Sequence, residues 1–121
     1  MAKVLVVEDN TANQRLMEMI LESMGHSAVC AFTGEEGWAR VQEGGFSLVI
    51  LDMHLPGLDG FELCRRIKSL IGSTVKVLAV TALAMEGDRK KVLACGCDDY
   101  FSKPISVPDL RARVQTLLEE G

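Results

Sequence analysis

Glu8 and Asp9 follow the apolar run Val4-Leu5-Val6-Val7, Asp52 follows Leu48-Val49-Ile50-Leu51, and Thr81 follows Val77-Leu78-Ala79-Val80. A last short run ends at Phe101, with Ser102 and Lys103 directly behind it. If these run ends share one rim, three carboxylates, a hydroxyl and an ammonium converge. Carboxylates about 5 Å apart repel by roughly 3 kcal/mol at an effective dielectric near 20, so three stay ionised together only with added positive charge. Lys103 supplies one charge, too little for three. The donors are hard oxygens with no His or Cys among them, which suits Mg2+ (or Mn2+) over Zn2+. A Mg2+ held by few carboxylates keeps positions that take phosphate oxygens, so the set points to phosphoryl chemistry. One carboxylate would be the nucleophile, giving an acyl phosphate, and Asp52, alone at the end of its run, is the candidate. Thr81 and Lys103 would contact the new phosphoryl oxygens. Taken singly, each residue has an ordinary reading: an Asp after a strand caps a helix or makes a turn, and Lys-Pro marks a loop. Matched chemistry at four strand ends is what carries the functional one.

The elements that must position these groups follow from the pattern of apolar residues. Strands are expected over residues 3–7, 27–31, 47–51, 76–80 and 99–101. Helices are expected over 10–24, 34–43, 59–70, 85–94 and 106–119. Asn10 or Thr11 can cap the first helix, with Ala12, Leu16, Met19 and Ile20 at helical spacing, and Gly25 stops it. Phe61, Leu63, Cys64 and Ile67 mark the third helix, and Leu110, Val114, Leu117 and Leu118 the inward stripe of the fifth. Strict β-α alternation with nearly continuous apolar strands means a parallel sheet covered on both faces. The expected fold is α/β: a flavodoxin-like, doubly wound, five-stranded parallel sheet of order 2-1-3-4-5 with five helices. In that order strands 1 and 3 are neighbours, and ligands bind beyond the carboxyl ends of the strands where the connections diverge.

The 121 residues are read as one domain over 1–121, long enough to fold without staples. A net charge of −4 makes a basic phosphate-binding face, and hence direct nucleic-acid binding, a poor expectation. The longest apolar strings fall far short of the roughly 20 residues of a membrane span, and Glu8 and Asp9 break any signal-peptide pattern, so no membrane insertion and a cytoplasmic location are expected. Cys30, Cys64, Cys95 and Cys97 lack zinc-like spacing; Cys95-Gly96-Cys97 is a C-x-C pair, and the four read as small buried hydrophobes in a reducing compartment.

The residues at these run ends resemble the receiver domain of bacterial two-component response regulators. The likeness rests on Val6-Val7-Glu8-Asp9-Asn10, on Leu51-Asp52-Met53-His54-Leu55-Pro56-Gly57-Leu58-Asp59-Gly60, on Thr81-Ala82 and on Tyr100-Phe101-Ser102-Lys103-Pro104, and it spans the chain from Lys3 to about Leu118. It implies that Asp52 accepts the phosphoryl group and that Asp9 ligates Mg2+ directly, with Glu8 acting mainly through water. The backbone carbonyl of His54 would be a further metal ligand. Thr81 and Lys103 would bind the phosphoryl group, the Lys103-Pro104 bond would be cis, and Tyr100 would be the switch aromatic that swings inward with Thr81. His54 and Leu83 stand two residues beyond Asp52 and Thr81, where the family tunes the lifetime of the phosphorylated state; an exposed loop residue is an equal reading of His54.

The resemblance further implies a phosphorylation-driven binding switch, with self-phosphorylation and autodephosphorylation chemistry of its own rather than an enzyme's turnover. Its phosphodonor would be a histidine kinase or a histidine phosphotransfer protein, docking on the first helix beside Asn13, Gln14 and Met17. Its output surface would carry Lys90, Lys91, Tyr100, Val107 and Arg111 and engage a downstream output protein. The alternative is a receiver domain excised from a hybrid histidine kinase or a larger response regulator; a stand-alone domain is the expectation. A phosphatase of the haloacid dehalogenase type also uses an aspartyl phosphate, but needs a general-acid Asp where this chain has His54. A nucleotide or flavin module is disfavoured because neither G-x-x-x-x-G-K-[ST] nor G-x-G-x-x-G is present.

Overall fold

The computed structural model describes residues 2–55, 57–72, 74–82 and 86–120; Pro56, Leu83 and the expected helix start at Met85 lie outside them. The element order is β1 (Lys3–Val7), α1 (Thr11–Ser23), β2 (Ser27–Ala31), α2 (Gly34–Gln42), β3 (Leu48–Asp52), α3 (Gly60–Arg66), β4 (Lys76–Thr81), α4 (Glu86–Ala94), β5 (Asp99–Ser102) and α5 (Val107–Glu120). All pairings are parallel and the strand order is β2-β1-β3-β4-β5, as expected.

Strand parity divides the core. Leu5, Val7, Val49, Leu51, Val77 and Ala79 pack on one face with Val41 of α2, Leu63 and Cys64 of α3 and Val92 of α4. Val4, Val6, Leu48, Ile50, Leu78 and Val80 pack on the other with Met17, Ile20 and Leu21 of α1 and Leu110, Val114 and Leu117 of α5. This is the period-2 alternation of a strand buried on both sides. Among the described residues, three helix starts are capped by side chains: Asn10 Oδ1 accepts from Asn13 N–H, Thr33 Oγ1 from Glu36 N–H, and Asp59 Oδ1 from Glu62 N–H.

Three features differ from the sequence reading. First, β3, β4 and β5 each run to the functional residue itself or one short of it, so Asp52 and Thr81 are the last residues of their strands. Second, the helix expected to run on to Leu70 leaves α geometry at Arg66 and finishes as a π-helical turn, Ile67–Ile71. The wider turn keeps Ile67 buried while Lys68 reaches back to Val75 O and Asp98. Third, α1 is rotated about its axis relative to expectation. Gln14 and Met17, expected on its exposed docking side, are buried, whereas Met19 is 60 % exposed. The inward stripe is Gln14, Met17, Ile20 and Leu21. Gln14 belongs in it because its amide N–H donates to Glu8 O at 3.3 Å and Ala31 O at 3.0 Å, satisfying two carbonyls at the ends of β1 and β2.

Candidate functional site

Glu8 leaves β1 at the point where its N–H still donates to Ala31 O (3.0 Å), so the backbone of β2 fixes it. Asp52 closes β3, and the next residue, Met53, donates its N–H to Val80 O at 3.1 Å. Lys103 donates its backbone N–H to Thr81 O at 2.7 Å, which ties the end of β5 to the end of β4. The Lys103-Pro104 peptide is cis, as the resemblance implies. Strand ends separated by dozens of residues thus meet at the carboxyl end of the sheet.

Glu8 is fully buried and Asp52 is 5 % exposed, while Asp9 is exposed. Carboxylate oxygens of Glu8, Asp9 and Asp52 lie within 4.8 Å of one another. The Lys103 ammonium bridges two of them, 3.0 Å from Glu8 Oε1 and 3.2 Å from Asp52 Oδ2. Asp52 Oδ1 accepts the His54 N–H at 3.0 Å, and Glu8 Oε2 accepts the Asn10 N–H at 3.3 Å. Glu8 Oε1 has that ion pair but no aligned hydrogen bond among the described residues. A buried oxygen in that state beside two further carboxylates calls for a cation.

Burial first, and then hydrogen bonding to Asp52, pushes the Glu8 carboxyl up to about 7 against the opposing pull of Lys103. Burial works to lower the pKa of Lys103, but its close pairing with Glu8 and the charges of Asp52 and Glu8 outweigh it and hold the ammonium above its ordinary value. One cation is therefore shared between two carboxylates, and the third stands in water without it. Hard oxygen donors, spaced to share one ion, fit Mg2+ by number and chemistry.

Of the sequence-predicted residues, Glu8, Asp9, Asp52 and Lys103 are brought together. Thr81 is buried at the end of β4, in register with Ser102 of β5. His54 contributes its backbone to Asp52, while its side chain is exposed and meets the Phe61 ring edge-on at 6.3 Å. Tyr100 is half-buried against the core, paired with Ala79, two rungs below the Thr81 end of β4. Lys90, Lys91 and Arg111 are exposed and Val107 is half-buried; the Lys91 ammonium sits 4.7 Å from the centre of the Phe61 ring.

Two supporting residues carry no signal of their own in the sequence. Gln14 fixes the turn that carries Glu8, as above. Gly60 permits the chain after β3 to fold back: a Cβ there would lie 2.5 Å from both Asp52 O and Met53 Cα, so the loop behind Asp52 closes only over a glycine. The string from Asp52 to Gly60 is the signal that could have marked it.

Comparison with known proteins gives one answer. A model of the response regulator receiver domain matches residues 4–115. The phosphate regulon transcriptional regulatory protein PhoB of Rhizobium meliloti is 40% identical over 120 residues, covering 98% of this chain and 53% of that protein. The chain thus spans about half the length of the curated relatives it matches. Among solved structures, the receiver domain of Francisella response regulator 1452 superposes with a TM-score of 0.93 at 28% identity, covering 99% of this chain and 98% of that one. The receiver domain of the sensor histidine kinase PA1611 of Pseudomonas aeruginosa, with a magnesium ion coordinated in its active site cleft, gives 0.87 at 30% identity, covering 98% of each chain.

Proposed function

The chain belongs to the response regulator receiver domain family, and from that premise we propose that it accepts a phosphoryl group on Asp52 and uses it to switch protein contacts in a two-component or phosphorelay system. The observation that carries this is the environment of Asp52: buried at a strand end, one oxygen on the Lys103 ammonium, the other on a backbone N–H, with two further carboxylates alongside. The donor is a phosphohistidine on a histidine kinase or histidine phosphotransfer protein. Asp52 attacks phosphorus, a P–O bond forms, the P–N bond breaks, and the imidazole leaves.

The carboxylates of Glu8, Asp9 and Asp52 with the His54 carbonyl would hold Mg2+, or Mn2+ in its place. When bound, the ion supplies the positive charge that offsets the carboxylates and the incoming phosphoryl oxygens. Lys103 moves from pairing two carboxylates to pairing the new phosphate, which brings nearly two negative charges. The Thr81 hydroxyl donates to a phosphoryl oxygen, and Tyr100 follows it inward. The face of α4, β5 and α5 is the bistable element that reports the change to an output protein. The domain is a phosphoacceptor switch, catalysing its own phosphorylation and autodephosphorylation, and it contacts protein partners rather than nucleic acid. A cytoplasmic location goes with a phosphodonor of the histidine kinase or phosphotransfer type; separately, no described helix is long and apolar enough to cross a membrane.

Incubation with radiolabelled acetyl phosphate and Mg2+ tests the reading. Wild-type protein takes up label that is stable to gel filtration and lost in base, chelator prevents labelling, and Asp52→Asn takes up none. Undiminished labelling of Asp52→Asn would assign the acceptor elsewhere.

A further inference from the structure

Three cysteines meet at the end of the sheet opposite Asp52. Cys64 lies on α3, Cys95 just past α4 and Cys97 just before β5. Their sulfurs lie within 4.8 Å of one another, with Cys64 and Cys97 at 3.2 Å and Cys95 and Cys97 at 3.5 Å. They are 0, 5 and 8 % exposed and carry no disulfide. The backbone is shaped to bring them there. Gly96, between Cys95 and Cys97, has φ of 100°, a left-handed bend that lets both neighbours face Cys64. A Cβ on Gly96 would come within 3.1 Å of the Lys68 side chain. The residue after Cys97, Asp98, is pinned by Val77 N–H at 2.7 Å and by Lys68 at 2.6 Å.

We propose that Cys64, Cys95 and Cys97 form a three-thiolate binding site for a trivalent thiophilic ion, arsenite being the ligand. Ligand softness is the first reason: three sulfur donors and no oxygen or nitrogen donor select a thiophilic ion over Mg2+ or Ca2+. Coordination number is the second. Among the described residues no His, Asp, Glu or fourth Cys joins the three sulfurs, so a tetrahedral ion such as Zn2+ lacks a protein ligand. Charge is the third. Three thiolates carry three negative charges; a monovalent ion leaves two of them, a divalent ion one, and trivalent arsenic none. In a buried site that belongs to the same apolar core as Ile67, Val77 and Val92 the neutral complex is the favoured one. Arsenous acid exchanges its three As–O bonds for three As–S bonds, the three thiol protons leave with its hydroxyls as water, and no electron is transferred. In the ligand-free protein the Cys95 S–H donates to Val92 O at 2.9 Å and the Cys64 S–H to Cys95 O at 3.4 Å, so binding exchanges weak hydrogen bonds for covalent ones.

The test titrates the reduced full chain with sodium arsenite and reads intact mass and the thiols that remain titratable on unfolding. The expected result is one arsenic per chain with only Cys30 of the four cysteines left reactive. Cys30→Ser binds as wild type does. Cys97→Ser and Cys64→Ser each weaken binding by about tenfold or more, since each removes one bond from a chelate. Arsenite raises the melting temperature of wild type but not of Cys97→Ser, which decides the matter on the wild-type chain if Cys64→Ser folds poorly. Absence of binding at micromolar arsenite, consumption of two thiols independent of Cys64, or tighter binding of Zn2+ than of arsenite would each overturn the assignment and leave the cluster as packed core thiols.

Discussion

Asp52→Asn is expected to make the metal-free protein more stable even as it abolishes phosphate acceptance. The Asp52 carboxylate lies within 4.8 Å of carboxylate oxygens of Glu8 and Asp9. At an effective dielectric near 20, each such pair costs about 3.5 kcal/mol when both groups are ionised. Against this stands Lys103, 3.2 Å away, whose attraction amounts to about 5 kcal/mol on the same scale. Near pH 8.5 Glu8, with its pKa raised to about 7, is ionised, and the balance leaves Asp52 a net burden of about 2 kcal/mol, less whatever water at exposed Asp9 screens. Asparagine keeps the shape and still accepts the His54 N–H, while Lys103 retains Glu8. The expectation is a gain of about 1–2 kcal/mol in urea-melt stability for Asp52→Asn in chelator. Saturating Mg2+ reverses the ranking: at a hundredfold excess over its dissociation constant the ion adds about 2.7 kcal/mol to a protein that binds it, and Asp52→Asn binds it more weakly. An Asp52→Asn protein that is equal to or less stable than wild type in chelator near pH 8.5, and that gains as much from Mg2+, would refute the electrostatic account of the rim.

Other perturbations separate the supporting residues. In chelator the raised pKa of Glu8 (from 4.5 to about 7) contributes stability that is present below 4.5 and lost as pH rises through 7, so urea melts should show stability falling across that window, and the fall should be absent in Glu8→Gln. Gln14→Leu removes the side-chain donor to Glu8 O and the second donor to Ala31 O, which keeps the Glu8 N–H, and is expected to cost about 1–3 kcal/mol in the same melts. Gly60→Ala forces a Cβ against Asp52 O and Met53 Cα; it is expected to cost about 2–4 kcal/mol and to slow acetyl phosphate labelling, because the acceptor's own backbone must shift. Lys103→Met removes the one ammonium shared by Glu8 and Asp52; Mg2+ binding should survive it, and titration with labelling should then show metal affinity separated from phosphoryl transfer.

The strands and the rim were legible in the sequence because both rest on short-range pattern. Short β-branched apolar runs such as Leu48-Val49-Ile50-Leu51, alternating with longer helical stretches, read as strands buried on both faces, and the residue behind each run then falls at the carboxyl end of the sheet whatever the helices do. The rotation of α1 was not legible. With Leu16, Met17, Met19, Ile20 and Leu21 crowded on one helix, periodicity alone admits more than one inward stripe, and the choice is made by Gln14, a polar residue drawn inside by two carbonyls on β1 and β2. The cysteine cluster escaped for a related reason. Cys95-Gly96-Cys97 looks incomplete until Cys64, 31 residues upstream of Cys95, is brought against it by the packing of α3. Side-chain contacts made across elements leave no local trace.

What makes the rim possible is the contrast between it and the strands that end there. Val4 to Val7, Leu48 to Leu51 and Val77 to Ala79 are fully buried, and each such aliphatic side chain contributes about 1.5–3 kcal/mol on folding. That surplus holds three carboxylates at a separation they would not choose, at strand ends whose backbones are fixed by Ala31, Val80 and Thr81. Relief of that repulsion is then reserved for a cation, and under the proposed function an incoming phosphoryl group, itself anionic, depends on that cation's charge. A rim of the same shape built from neutral side chains would gain little from a cation, and in the proposed switch it would give Lys103 no carboxylates to leave for the phosphate.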